Sequence, residues 1–252
     1  MENKPIPVCE PALLGRELEY VSDAVSTGWI SSSGSYVDAF EKAFAEYCGV
    51  KYAVGVTNGT VAIHLALTAL GVGPGDEVIV PDFTMIATAA AVCYTGARPV
   101  FIDADPDTWN ISPPHIEKKV SPRTKAIIAV HLFGLMADMA EIRAIAKRRG
   151  LRVVEDAAES HGATGSGFRA GAASDIATFS FYANKNLTTG EGGMVLTDNE
   201  ELWKKIRYFK NLCFKLDGPR DFLHEDIGFN YRLSNVHAAL GLAQVEKADD
   251  YK

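Results

Sequence analysis

The sequence predicts an α/β fold built on a mostly parallel sheet buried on both faces between helices. Short apolar runs recur at residues 52–56, 77–81, 99–102, 126–130, 152–155, 176–181 and 193–197. Helically spaced stretches at 61–70, 84–94, 114–120 and 139–149 separate the first five runs. Continuous apolar runs joined by helices are the pattern of strands covered on both faces. The last two runs follow one another with no helix between them, so at least one of that pair runs antiparallel.

Taken in order, the first 50 residues form a helical segment. Residues 15–26 read as an amphipathic helix, with Leu14, Leu18, Val21 and Val25 at helical spacing as its apolar face. Gly28-Trp29-Ile30-Ser31-Ser32-Ser33-Gly34 breaks the helix into a loop. Residues 37–47 form the next helix, with Phe40, Phe44 and Tyr47 on one face. Beyond the seven runs come a helix from Asn199 to about Phe209, a mixed segment with Pro219 and a last helix over 234–251. No repeat or low-complexity segment interrupts this order.

Composition narrows the function. With 252 residues, 47% hydrophobic and 23% charged, the chain suits one globular domain or a domain and a half. Twenty-five basic against 32 acidic residues give a net charge of −7, which argues against a nucleic-acid partner. The opening Met1-Glu2-Asn3-Lys4-Pro5 has no apolar h-region, and no run reaches the ~18 apolar residues of a membrane span, so a soluble cytoplasmic protein is expected. Cys9, Cys48, Cys93 and Cys213 show no CxxC pairing and are expected as reduced core thiols. No HExxH, no Walker lysine motif and no metal-spaced Cys/His cluster occurs, and Gly165-Ser166-Gly167-Phe168-Arg169-Ala170-Gly171 lacks the G-x-G-x-x-G spacing.

The residues that carry chemistry lie between these elements. Lys185 stands between an apolar run and the turn Gly190-Glu191-Gly192-Gly193. A lysine in such poorly solvated surroundings is expected to have a lowered pKa, giving the free amine that carbonyl chemistry needs; taken alone, a loop lysine reads as a surface residue, and the other motifs of the chain shift that reading. Asp156 ends the buried run of Val153-Val154-Glu155-Asp156, where ligands gather in open α/β sheets. It either meets a cation, since a lone buried carboxylate is costly, or caps the next turn. Gly59 and Thr60, in Thr57-Asn58-Gly59-Thr60, open a helix whose N-terminus suits an anion, or make an ordinary capping turn. His131 and His161, beside strands, read as core residues.

Lys185, Ser180, Asp156, the Asn58-Gly59-Thr60 turn and Gly228-Phe229-Asn230-Tyr231-Arg232 together resemble the fold-type I pyridoxal-phosphate (PLP) enzymes. More narrowly, the chain is similar to the DegT/DnrJ/EryC1/StrS sugar aminotransferases from about Gly28 to Gln244, with the motifs in family order. Within that family Asn184-Lys185 and Gly190-Glu191-Gly192-Gly193 look most like the perosamine synthase branch. The resemblance implies a PLP-dependent transferase large domain of the aspartate aminotransferase type over 1–252, with a mixed seven-stranded sheet. Because the chain stops at Lys252, it implies that the small C-terminal domain is absent or truncated, whether in a piece of a longer protein or by natural truncation.

The same resemblance assigns roles. Lys185 would be the catalytic lysine, where dehydratase relatives carry histidine. Asp156 would hold the ring nitrogen protonated, Gly59, Thr60, Ser180 and Asn230 the phosphate, and Glu159 would sit near the ring hydroxyl. Met85, or else Phe83, would cover the ring face where relatives usually carry an aromatic residue. Trp29, Ser31 and Arg232 would face the substrate, though Trp29 reads equally as a cap on the core. The implied activity moves an amino group from glutamate to a keto-sugar, nucleotide-linked, for surface polysaccharide or amino-sugar biosynthesis. It implies a homodimer whose sites are shared, Asn230 reaching the neighbouring subunit's phosphate. Two rival readings are a non-nucleotide keto-sugar acceptor and a non-catalytic PLP-binding scaffold that lost its small domain.

Overall fold

A computed structural model describes residues 7, 9–218 and 222–251; Met1 to Pro5 and Pro219 lie outside the described residues. Helices α1 (Glu17–Ser26) and α2 (Ser35–Cys48) precede the strands β1 (Tyr52–Val56), β2 (Glu77–Pro81), β3 (Arg98–Ile102), β4 (Thr124–Val130) and β5 (Arg152–Asp156). Between these strands run α3 (Gly59–Ala69), α4 (Ile86–Tyr94), α5 (Pro113–Lys119) and α6 (Met139–Arg149). A two-stranded hairpin, β6 (Thr164–Gly165) and β7 (Phe168–Arg169), leads to β8 (Ile176–Ser180) and β9 (Gly193–Thr197), followed by α7 (Glu200–Lys210) and α8 (Asn235–Glu246).

The seven-stranded sheet has the order β1-β9-β8-β5-β4-β2-β3. Strands β3, β2, β4, β5 and β8 are parallel, and β9 alone is reversed, antiparallel to both β8 and β1. The expected mixed sheet and its reversed strand are therefore found, and the reversed strand is the second of the two adjacent runs. Alternation along the strands sends successive side chains to opposite layers. Val54, Val80, Ile128 and Val154 pack with α3, and Ile79, Ile127 and Val153 pack with α6. Phe40 and Phe44 of α2 close the second layer against Phe179 and Phe181.

Side-chain caps fix where the helices begin. Asn58 Oδ1 accepts from Val61 N–H, Asp138 Oδ1 from Glu141 N–H, Asn199 Oδ1 from Leu202 N–H and Ser234 Oγ from His237 N–H.

Four expectations need correction. In α1 the buried positions are Glu17, Tyr20 and Ala24, whereas Leu18 is 82% exposed and Leu14 and Val25 also face outward. Polar pairing with α8 wins over apolar spacing here: Glu17 accepts from Gln244 Nε2 and Tyr20 donates to Glu246. Helix α4 starts at Ile86, because Met85 is extended as its N-cap residue. The last helix ends at Glu246, with a separate 3₁₀ turn over Ala248–Tyr251. Of the cysteines, all free, Cys48 and Cys213 are buried but Cys9 and Cys93 are exposed.

Candidate active site

The strands β1, β2, β4, β5 and β8 all point the same way, so the loops after their carboxyl ends meet at one edge of the sheet, where open α/β sheets bind ligands. A cavity of about 580 Å³ lies there, lined by residues that include Asn58, Gly59, Thr60, Met85, Asp156, Glu159, Ser180 and Lys185. These eight residues, drawn from distant parts of the sequence, thus meet in one cavity.

Its floor is Asp156. The carboxylate is buried, with Oδ2 accepting from Thr88 Oγ1 at 2.8 Å and Oδ1 from Ala158 N–H at 3.3 Å. Thr88 Oγ1 in turn lies 3.1 Å from Thr84 Oγ1, so Thr84 donates to Thr88 and Thr88 to the acid. Burial raises the Asp156 carboxyl above the ordinary carboxylate range, against the smaller opposing pull of Thr88, Ala158 and the Lys185 charge. No cationic side chain is paired with it among the described residues, and that is the place a ligand cation would take.

One wall is the start of α3. A Cβ on Gly59 would stand 2.8 Å from Ser180 Cβ, and one on Gly193 would collide with the Asn58 carbonyl. The two glycines let the helix N-terminus, the end of β8 and the start of β9 come together. A helix N-terminus beside the Ser180 hydroxyl and the Thr60 side chain favours an anion.

Lys185 comes from the loop between β8 and β9. Its frame is the Phe181 carbonyl, which accepts from Thr189 N–H at 2.9 Å and from Thr188 Oγ1 at 3.0 Å, while Phe181 N–H donates to Gly192 O. This anchors a long loop at its neck. The lysine side chain is only 18% exposed, and its Nζ stands 3.7 Å from Glu159 Oε1, too long for a hydrogen bond. Glu159 Oε2 accepts from Phe133 N–H at 3.0 Å.

Other sequence-derived candidates lie elsewhere. Trp29, Ser31, Asn230 and Arg232 do not line the cavity. Trp29 is largely exposed and does not cap the core; its carbonyl accepts from Asn235 Nδ2, which fixes the 29–36 loop on α8. Arg232 Nε donates to Asn230 Oδ1 at 2.8 Å, and Arg232 pairs with Val56 in an isolated bridge beside the Asn58 turn. Of the two candidates for a ring cover, Met85 lines the cavity and Phe83 does not.

Both histidines are interior. His131 accepts from Ala137 N–H at Nδ1, leaving Nε2 to donate to Glu155 at 2.8 Å. His161 packs among Phe44, Phe179 and Phe181, and neither ring nitrogen has a partner among the described residues. Burial, helped by the Lys185 charge, lowers its pKa to about 3 and keeps it neutral. Sequence reasoning missed Thr88; the Thr84-x-x-x-Thr88 spacing, one helical turn apart, was the available signal.

The chain as a whole is similar to known proteins. A family profile described as the DegT/DnrJ/EryC1/StrS aminotransferase family matches residues 12–252. GDP-perosamine synthase of Escherichia coli O157:H7 is 50% identical over 98% of this chain and 68% of its own length. The crystal structure of an aminotransferase from Psychrobacter cryohalolentis has a TM-score of 0.92 at 38% identity, covering 98% of this chain and 65% of the other. That of DesI in the presence of its TDP-sugar product has a TM-score of 0.90 at 35% identity, covering 98% and 62%. The chain thus spans about two thirds of the length of its relatives. Among the described residues no helix is long and apolar enough to cross a membrane.

Proposed function

The chain belongs to the DegT/DnrJ/EryC1/StrS aminotransferase family, and from that premise we propose that it is the cofactor-holding large domain of a PLP-dependent sugar aminotransferase. The observation that carries the proposal is a pairing across one cavity: a mostly buried lysine amine, and a buried carboxylate with no cationic partner. The groups lining the cavity suit the cofactor's chemistry. A helix N-terminus with Ser180 and Thr60 is suited to its phosphate, and Asp156 to its protonated ring nitrogen. Glu159 and Met85 also line it, and would serve the ring hydroxyl and, through a polarizable thioether, the ring face.

Bound there, PLP supplies an electron sink that lets a carbon bearing nitrogen lose a proton. The chain's own part follows from its geometry. Lys185 Nζ would hold the cofactor and take and return the proton at that carbon, being the one lysine on the cavity wall among the described residues. Asp156 would keep the ring nitrogen protonated, and Thr88, fed by Thr84, keeps the Asp156 carboxylate oriented rather than free to turn. Glutamate is proposed as amino donor, and a nucleotide-linked keto-sugar as acceptor; the GDP-perosamine and TDP-sugar names of the relatives support a nucleotide-linked sugar. Asn230 and Arg232 lie outside this cavity yet beside its Asn58 turn, and we assign them to the neighbouring subunit's site in a homodimer.

The test is an absorbance spectrum. Protein incubated with PLP should gain a visible band that borohydride removes, with the reduced label mapped to Lys185. Label on a different lysine overturns the assignment.

A further inference from the structure

The loop that carries Lys185 joins β8 to β9 and is bonded mostly to itself. Besides the two bonds on the Phe181 carbonyl, Gly190 N–H donates to Thr188 Oγ1 and Lys185 N–H to the Tyr182 carbonyl. Among the described residues, two hydrogen bonds tie residues 181–192 to anything beyond the two strands they join. One is weak and exposed: the Cys9 thiol donates to the Asn184 carbonyl at 3.2 Å. The other is buried. Thr188 N–H, three residues past Lys185, donates to Gln244 Oε1 of α8 at 3.2 Å.

Gln244 is buried, and its amide can face only one way. Oε1 meets a backbone donor, while Nε2 donates to the Ala12 carbonyl at 2.9 Å and to Glu17 Oε1 at 2.7 Å. Turning the amide over would set donor against donor and acceptor against acceptor. The other buried positions along α8 include Ala238, Ala239, Gly241 and Ala243, so packing alone does not call for a polar group there. A buried amide is costly unless its bonds are made, and this one makes bonds in both directions. Thr188 N–H has the converse need, since it is cut off from water and belongs to no strand or helix.

We infer that Gln244 is a positioning residue for Lys185, clamping the lysine's loop to α8 and to the segment that leads into α1. The inference rests on the reading of Lys185 as the cofactor's lysine. An amine that must meet one atom of a bound molecule needs its backbone held to within ~0.5 Å. Buried Leu187 sinks the loop into the cluster of Phe40, Phe44 and Phe181, but apolar contact has no direction. The Thr188–Gln244 bond has one, and it sets where along α8 the loop stands. Ala12 and Glu17 act one step further back, keeping the acceptor of Gln244 turned toward the loop.

The experiment compares three variants by two readouts. One is amide hydrogen exchange of residues 182–192 in the cofactor-free protein; the other is the share of bound PLP that borohydride fixes to Lys185. Gln244→Met keeps the length of the side chain and removes its bonds. It should speed exchange in the loop about tenfold or more while leaving β4 and β5 protected, and lower the fixed share to about half or less. Glu17→Ala disturbs the same junction but leaves Gln244 on Thr188, so both readouts should stay at the parent's values whatever the loss of stability. Glu17→Gln joined to Gln244→Glu exchanges the two groups, keeps an acceptor for Thr188 N–H, and should restore both readouts. Parent-like exchange and fixed share in Gln244→Met overturn the inference. If Gln244→Met does not fold, the exchanged pair decides: a folded protein with the parent's fixed share upholds the inference, and any other result overturns it. If the parent itself takes no label on Lys185, the aminotransferase reading fails, while exchange in the loop still reports on Gln244.

Discussion

Glu155 and Asp156 are consecutive residues on β5, both buried, and the two faces of the strand treat them in opposite ways. Glu155 turns to the α6 layer and collects four donors, from His131 Nε2, Gly171 N–H, Ala173 N–H and Ser174 Oγ. Burial alone would raise its carboxyl, but those donors together hold it below the ordinary range. Asp156 turns to the α3 layer and the cavity and receives only Thr88 and Ala158, so burial wins and its carboxyl is raised. A buried carboxylate with its full set of donors serves the fold, and one left short of them is kept for a ligand.

The largest effect that would break this contrast is on activity. Asp156→Asn keeps the shape and the Thr88 contact but cannot hold a ring nitrogen protonated. A fall of about two orders of magnitude or more in kcat is expected, equivalent to ~3 kcal/mol of transition-state stabilisation. The melting temperature of the cofactor-free variant should not fall. A variant within a few-fold of the parent would make Asp156 a turn residue.

The mirror experiment is Glu155→Gln. It removes the charge that four donors surround, and a loss of about 2–4 kcal/mol in unfolding free energy is expected by denaturant titration. Any activity loss should track the folded fraction. If Glu155→Gln left stability intact while abolishing cofactor binding, the two roles would have to be exchanged.

Sequence alone shows why this contrast is partly legible. The alternation of runs and helices gave the sheet and its reversed strand, because burial on both faces leaves a continuous apolar signature at 77–81, 126–130 and 176–180. That Lys185, Asp156 and the Gly59-Thr60 turn share a cavity was legible because motif order is a property of the chain. Thr88 was not, since it acts through a contact between a helix and a strand far apart in sequence. The face of α1 was misjudged for a related reason: Glu17 is buried by Gln244, more than two hundred residues away. Spacing reports which residues share a face, not which face finds a partner.

A smaller effect sharpens the comparison through pH. Glu155 is more acidic folded than unfolded, so its stabilisation is present above the ordinary glutamate pKa and is lost as pH falls through its lowered value. Asp156 is less acidic folded than unfolded, so its contribution is present below the ordinary aspartate pKa and is lost as pH rises through the raised value. Cofactor-free Asp156→Asn should therefore gain stability over the parent as pH rises toward neutrality. Adding PLP should reverse the order, because the cofactor stabilises only a protein that can pair with it. Denaturant midpoints from pH 3 to 8, with and without PLP, measure this. A difference that does not grow with pH would mean that Asp156 is not destabilised by its burial.

The smallest expected effect lies at Met85, on the mouth of the same cavity. Its backbone is extended, φ −60° and ψ 136°, and its side chain makes no capping bond to α4. A larger side chain is therefore free to turn over the cavity without disturbing the helix. A thioether contacts a ring through polarizability alone, whereas an aromatic ring can stack in an offset arrangement worth ~0.5–1.5 kcal/mol beyond its area. Met85→Phe should accordingly tighten PLP by a few-fold and Met85→Ala should loosen it, with melting temperatures of the cofactor-free forms unchanged. Fluorescence titration with PLP reads both. If Met85→Ala bound the cofactor as tightly as the parent, the ring would have its cover elsewhere, and the open side of Asp156's cavity would belong to the substrate alone.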